Sequence, residues 1–76
     1  MYPKLREYRR AAGLSQVALA RQAGLSKQYY SQLESGQRGD RWGLENARAI
    51  AFVLADKLKR SRNRVFADIF LQDKSA

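Results

Sequence analysis

The segment from residue 15 to residue 36 carries polar side chains at a spacing that suits binding in a groove. Its pattern predicts two short helices joined at Gly24-Leu25-Ser26, where the glycine allows the turn backbone and Leu25 fills the corner. The small side chain of Ala20 lets the second helix pack closely on the first. A second helix held in this way stands out from the body and could enter a DNA major groove, which is about 12 Å wide.

The composition excludes several kinds of active site. The 76 residues include no Cys and no His, which removes disulfides, zinc fingers, most transition-metal sites and Cys- or His-dependent nucleophiles. The few carboxylates are scattered along the chain, so we expect no metal site, no cofactor and no enzymatic activity. Lys and Arg number 15 against 7 Asp and Glu, and the resulting net charge of +8 favours an anionic partner.

The amino-acid content favours an all-α fold in a single domain, residues 1–76. Helix formers dominate, β-branched residues are few and Thr is missing. Ser15 and Ser26 are natural helix N-caps. Apolar spacing and the glycines predict a compact bundle of about five helices, at about residues 4–12, 16–23 and 27–35, from about 44 onwards, and a last short helix containing residues 65–70. The fourth helix could continue into the basic run of residues 57–64.

A membrane partner is not expected. The longest apolar run, Ala49 to Ala55, is too short to span a bilayer. The N-terminus becomes charged at Lys4, which is unlike a signal peptide. These features favour an intracellular protein.

Four stretches of the chain resemble the Cro/CI-type helix-turn-helix family, which includes phage repressors and many small bacterial regulators. They are Leu14-Ser15-Gln16, Leu19-Ala20, Ala23-Gly24-Leu25-Ser26 and Ser31-Gln32-Leu33-Glu34-Ser35-Gly36. The resemblance covers Leu5 to roughly Leu54, and residues 66–70 resemble the closing helix of the family. It implies a lambda-repressor-like bundle with a central helix-turn-helix at residues 16–35. It also implies a cytoplasmic, nucleoid-associated protein of a prokaryote or phage.

The resemblance implies a role for each matching position. Base contacts fall on the exposed face of the second helix of the motif: Lys27, Gln28, Tyr29, Ser31 and Gln32. The two glutamines can pair bidentately with adenine, and the lysine can reach guanine or a phosphate. Phosphate contacts fall on a second set of residues: Gln16, Ser26, Arg38 and Arg41. Arg9 and Glu34 match a charged pair that ties the first helix to the third.

Several residues keep two interpretations. Ser26 can cap its helix and contact a phosphate with the same hydroxyl. Tyr30 could lie in the core or contact DNA, and the core is preferred because its position in the family is usually apolar. Trp42 could cover the core beneath its loop or pack at a dimer or DNA contact. The basic run 57–64 could be a solvated helix end or an additional phosphate contact.

The C-terminal part, residues 44–71, contains more apolar side chains than one face of so small a core needs. A partner surface is therefore predicted from these residues: Phe52, Val53, Phe66, Phe70 and Leu71. A twofold dimer would place two recognition helices about 34 Å apart on DNA. This part also departs from the family, because helix 4 lacks the usual closing glycine and about ten residues separate Leu54 from Val65.

These observations favour a sequence-specific regulator, and a repressor before an activator, that binds an inverted repeat in double-stranded DNA as a homodimer. Repression is preferred because occupying a promoter needs only a DNA-binding fold. Two alternatives remain open. An antitoxin-type protein would bind a protein partner through its C-terminal part, and a nucleoid protein would bind DNA without sequence preference.

Overall fold

Helices make up most of the chain that the structure describes. The computed structural model describes residues 2–36 and 43–71, and residues 1, 37–42 and 72–76 lie outside the described residues. The described part contains no strand, and its helices are α1 (Pro3–Ala11), α2 (Gln16–Gln22), α3 (Lys27–Ser35), α4 (Leu44–Leu58) and α5 (Arg62–Phe70). The predicted all-α bundle of about five helices is confirmed.

Serine hydroxyls cap three of these helices at the N-terminus. Ser15 accepts a hydrogen bond from the Ala18 amide at 3.0 Å, and Ser26 accepts one from the Tyr29 amide at 3.1 Å. Ser61 caps α5 in the same way. Each hydroxyl satisfies one backbone N–H that has no partner inside its helix, so each of these helices begins at a defined residue.

The corner between α2 and α3 is closed by backbone hydrogen bonds. Gly24 adopts the left-handed conformation (φ 78°), which costs glycine little. The Leu25 amide then donates to the Ala20 carbonyl at 2.8 Å, and the Gly24 amide donates to the Arg21 carbonyl at 3.1 Å. This pair of bonds is a Schellman motif, and it sets the direction in which α3 leaves α2.

All five helices contribute to one core. The fully buried large side chains come from each helix in turn: Leu5, Leu19, Tyr30, Leu33, Ile50, Leu54, Val65 and Ile69. Ala20 is also fully buried, so α2 and α3 approach closely at this point. The long α4 packs against α1, α2 and α5, and it is therefore the central element of the bundle.

The first and last helices are joined by a polar contact. Asp68 on α5 accepts hydrogen bonds from the Tyr8 hydroxyl at 2.5 Å and from Lys4 Nζ at 3.2 Å. The hydrogen bonds from Tyr8 and Lys4 lower the pKa of Asp68, and the bond to Asp68 raises the pKa of Tyr8. The rings of Tyr2 and Phe70 meet edge to face with their centroids 5.0 Å apart. These contacts dock α5 on α1.

The fourth helix continues into the basic run, as the sequence allowed, but only by two residues. It ends at Leu58, and Lys59 turns into the left-handed conformation (φ 57°). The Arg60 amide donates to the Ala55 carbonyl at 2.9 Å, which completes a Schellman motif without a glycine. Because α5 begins at Arg62, only residues 59–61 connect the two helices.

We expect Lys59→Gly to stabilise the fold, because the left-handed conformation costs an L-residue about 1–2 kcal/mol and glycine very little. Glycine also gains freedom in the unfolded chain, so the expected net increase in unfolding free energy is roughly 0.5–1 kcal/mol. Urea unfolding measures it. The matched control, Lys57→Gly inside α4, should instead lose about 1 kcal/mol. Equal losses in both variants would contradict the conformational argument.

Candidate nucleic-acid interface

The third helix presents two chemically different faces. Tyr30 and Leu33 are fully buried, whereas Lys27 and Gln28 are exposed. The structure leaves Tyr29, Ser31 and Gln32 half-buried along the same helix. Polar groups from the start and middle of α3 line one shallow surface depression: Ser26, Gln28, Tyr29 and Gln32. Three of the predicted base-contact residues, Gln28, Tyr29 and Gln32, are therefore adjacent, whereas Lys27 and Ser31 do not line the depression. The opposite face of the helix is anchored in the core.

Ser26 stands at the start of this surface. Its oxygen accepts from the Tyr29 amide at 3.1 Å, and the side chain is exposed. A serine hydroxyl also has a hydrogen to donate. Capping and donation to a phosphate are therefore compatible in one side chain.

Tyr29 is held in place from α4. Asn46 Nδ2 donates to the Tyr29 hydroxyl at 3.2 Å, and the ring packs against the core. Asn46 was not identified from the sequence, because the two residues lie 17 positions apart and meet only through the packing of α3 beside α4. The phenol is therefore oriented before any ligand arrives.

A buried carboxylate supports the helix from behind. Glu34 is only 5% exposed, yet it carries a charge. Arg9 donates to it from Nε at 2.9 Å and from Nη2 at 3.2 Å, and the Tyr30 hydroxyl donates at 2.5 Å. Arg9 also donates from Nη1 to the Leu14 carbonyl at 3.0 Å. The structure thus brings together the charged pair implied by the family resemblance and adds a buried tyrosine to it.

Gln16 has a structural contact that the sequence did not reveal. Its Nε2 donates to Glu34 Oε1 at 2.8 Å, so α2 joins α1 and α3 around the same carboxylate. An amide nitrogen carries two hydrogens, and this bond uses one of them. The residue is half-buried, and the phosphate contact implied by the resemblance would use the second hydrogen of this amide.

The surroundings of Glu34 keep it ionised. Burial by itself raises the pKa of this carboxyl, but hydrogen bonds from Arg9, Tyr30 and Gln16 outweigh burial, and the pKa lies below its ordinary value. Burial and the bond to Glu34 raise the pKa of Tyr30 far above the neutral range. The cluster is therefore one anion surrounded by three donors at neutral pH.

The remaining predicted site residues are either outside the described part of the chain or belong to the predicted dimer surface. Arg38, Arg41 and Trp42 fall outside the described residues. Four of the predicted dimer residues are half-buried and pack against the core: Phe52, Val53, Phe66 and Phe70. Leu71 is 66% exposed.

Comparison with known proteins gives one family. A protein-family model described as a helix-turn-helix domain matches residues 4–51, which is more than half of the chain. The helix-turn-helix resemblance is therefore confirmed, while the Cro/CI type stays a prediction. No curated protein and no solved structure matches the chain. Within residues 2–36 and 43–71, no helix is long and apolar enough to cross a membrane, and no group of three or more acidic residues could hold a metal ion.

We expect the Glu34 cluster to make stability pH-dependent. The folded pKa lies below the ordinary value of 4.5, so the contribution of ionised Glu34 is complete above about pH 4.5 and is lost as the pH falls through the lower folded pKa. Tyr30→Phe removes one donor to the anion. It should lower the unfolding free energy at pH 7 by about 1.5–3 kcal/mol, and this difference should shrink towards pH 2.

Urea unfolding of both proteins at several pH values measures this effect. Glu7→Gln, an exposed change on α1, is the control and should leave stability within about 0.5 kcal/mol of the original. A Tyr30→Phe effect of the same size at pH 7 and pH 2 would mean that the hydroxyl does not stabilise an anion.

Proposed function

This chain belongs to the helix-turn-helix domain family, and we propose that it is a transcriptional regulator that binds double-stranded DNA with sequence specificity. The observation that carries the proposal is the exposed polar face of α3, which is held on its other side by the buried Tyr30 and Glu34. A rigid helix with accessible amide and ammonium groups is suited to the major groove, where each base pair presents a distinct pattern of donors and acceptors.

Base contact is assigned to the exposed face of α3. Gln28 and Gln32 carry amides that can donate to N7 and accept from N6 of adenine in a bidentate pair, and Lys27 can donate to guanine. Ser31 and Tyr29 complete the contact face. Because Asn46 already orients Tyr29, this side chain loses little additional freedom when it binds.

Phosphate contact is assigned to residues outside the set proposed for base contact. Ser26 and Gln16 keep hydrogens that can be donated after their contacts within the protein. Arg38 and Arg41 follow α3 in the chain and supply charge. Contacts of this kind set the position of a protein on the duplex and make binding dependent on salt.

We also propose that residues 1–76 act as one DNA-binding domain that dimerises through residues 44–71 on an inverted repeat. Support comes from the exposed Leu71 at the end of α5, next to the paired rings of Phe66 and Phe70, whose centroids are 5.5 Å apart. A twofold pair of recognition helices one DNA turn apart would cover a promoter and repress it. Such a protein would act in the cytoplasm, at the nucleoid.

Selection of bound sites from random duplexes supplies the DNA for the first test. We expect Gln28→Ala and Gln32→Ala each to weaken binding to the selected site by roughly 1–3 kcal/mol, because each variant loses a bidentate pair. Binding to random duplex should change much less. Fluorescence anisotropy at one fixed salt concentration measures both affinities.

Gln22→Ala is the matched control, because Gln22 is an exposed glutamine at the end of α2. It should bind both DNAs as the original protein does. An equal loss on selected and random duplexes in the α3 variants would show that these glutamines do not specify sequence.

The dimer has a separate test. Leu71→Glu places a charge in the proposed apolar interface, so we expect the dimer dissociation constant to rise at least tenfold in sedimentation equilibrium without DNA. The control is Val17→Glu, an equivalent change at an apolar side chain on α2 that is 44% exposed and lies outside residues 44–71. A Leu71→Glu variant that stays dimeric, or an unsubstituted chain that is already monomeric, would refute this interface.

A further inference from the structure

The corner between α4 and α5 carries a dense group of cations. Residues 57–64, named here the basic corner, contain five of them: Lys57, Lys59, Arg60, Arg62 and Arg64. Arg62 is committed to the protein, since it donates to Asp56 at 3.0 and 2.8 Å and lies 4.9 Å from the ring centroid of Phe52. The remaining four side chains are exposed, and none forms an ion pair with a carboxylate of the described residues.

Two of the three carboxylates near the basic corner are paired with other side chains. Asp56 is paired with Arg62, and Asp68 accepts from Lys4 and Tyr8. Glu7, the third, lines the same surface cleft as Arg60 and makes no ion pair with the described residues. The basic corner is thus strongly positive even when Glu7 is counted.

The backbone conformation of Lys59 adds a second observation. Among the described residues, three other helices are followed by a glycine in the left-handed conformation: Gly13 after α1, Gly24 after α2 and Gly36 after α3. The fourth helix is followed instead by Lys59, at a conformational cost that glycine would avoid. Lys59 therefore places an exposed ammonium group at a position where the backbone conformation is unfavourable for any residue except glycine.

The basic corner is separate from the surface assigned to base contact. Asn46, at the beginning of α4, contacts Tyr29 of the recognition helix. Lys59 follows 13 residues later, and a helix rises 1.5 Å per residue, so the two ends of α4 are about 20 Å apart. One phosphate group cannot be shared by the two surfaces.

The chemistry of the basic corner favours a polyanion over a membrane surface. Proteins that lie on lipid insert large apolar side chains beside their cations. The exposed large apolar residues of the described chain are Val17, Leu44 and Leu71, and none of them belongs to the basic corner. Arginine and lysine in a group that has no exposed large apolar side chain match a phosphate backbone.

We propose that the basic corner is a second DNA-binding surface, which contacts the phosphate backbone of duplex DNA without reading its sequence. Lys57, Lys59, Arg60 and Arg64 supply the charge, and α4 separates this surface from α3. The inference shares its partner with the proposed function, but it does not depend on base contact by α3.

The test compares two triple variants with equal loss of charge. Lys57→Gln/Arg60→Gln/Arg64→Gln removes three cations of the basic corner, and Arg10→Gln/Arg21→Gln/Arg48→Gln removes three exposed cations elsewhere. The probe is a random-sequence duplex of about 40 base pairs, titrated at several salt concentrations. Each lost phosphate contact reduces the slope of log affinity against log salt by about 0.9.

We expect the basic-corner variant to have a slope shallower by about 2 to 3 and the control variant to change by less than about 1. The charge-preserving variant Lys57→Arg/Arg60→Lys/Arg64→Lys should keep the original slope, which separates lost charge from a folding defect. Equal changes in the two charge-loss variants would overturn the proposal. So would binding to vesicles rich in anionic lipid without any binding to the duplex.

Amide chemical shifts of the unsubstituted protein with the same duplex separate this proposal from the proposed function. Shifts at residues 57–64 support the second surface, whatever happens at residues 27–32. Shifts confined to residues 27–32 overturn it and leave base contact by α3 intact. Shifts confined to residues 57–64 support the second surface and refute base contact by α3, because DNA would then bind without α3.

Discussion

The ion pair of Arg9 and the buried Glu34 is the constraint on which the geometry of this protein depends. A carboxylate that is 5% exposed is unfavourable unless its oxygens are satisfied, and here the donors come from three different helices. Arg9 belongs to α1, Gln16 to α2 and Tyr30 to α3. A change in the position of any one of these helices would break a hydrogen bond to the buried carboxylate, so the anion favours their observed relative orientation.

This constraint explains how a chain of 76 residues can hold α3 in a fixed orientation. The inner face of α3 is held by Leu33, Tyr30 and the carboxylate, and Asn46 holds Tyr29 from the side. The outer face carries accessible amide and ammonium groups whose helix is already ordered. Binding then needs little further ordering of the backbone, which favours specific contacts.

The central α4 links the two surfaces assigned to DNA. Its first turn contacts α3 through Asn46, and its last turn leads into the basic corner. Leu71, at the end of α5, is exposed and belongs to neither of these two surfaces. Base contact, contact with the DNA backbone and self-association are thus proposed for different surfaces around one small core. Substitutions can therefore change each of them separately.

Local signals in the sequence determined the helices and the helix-turn-helix, because serine caps and glycine stops act within a few residues. The predicted third helix, 27–35, coincides with α3. The end of α4 could not be predicted, because Lys59 occupies a left-handed backbone position that is usually occupied by glycine. Only the tertiary structure decided the roles of Gln16, Tyr30 and Asn46, since their partners lie on other helices or depend on side-chain burial. Hydrogen bonds between residues distant in the chain form only when packing brings them together, and no local pattern records them.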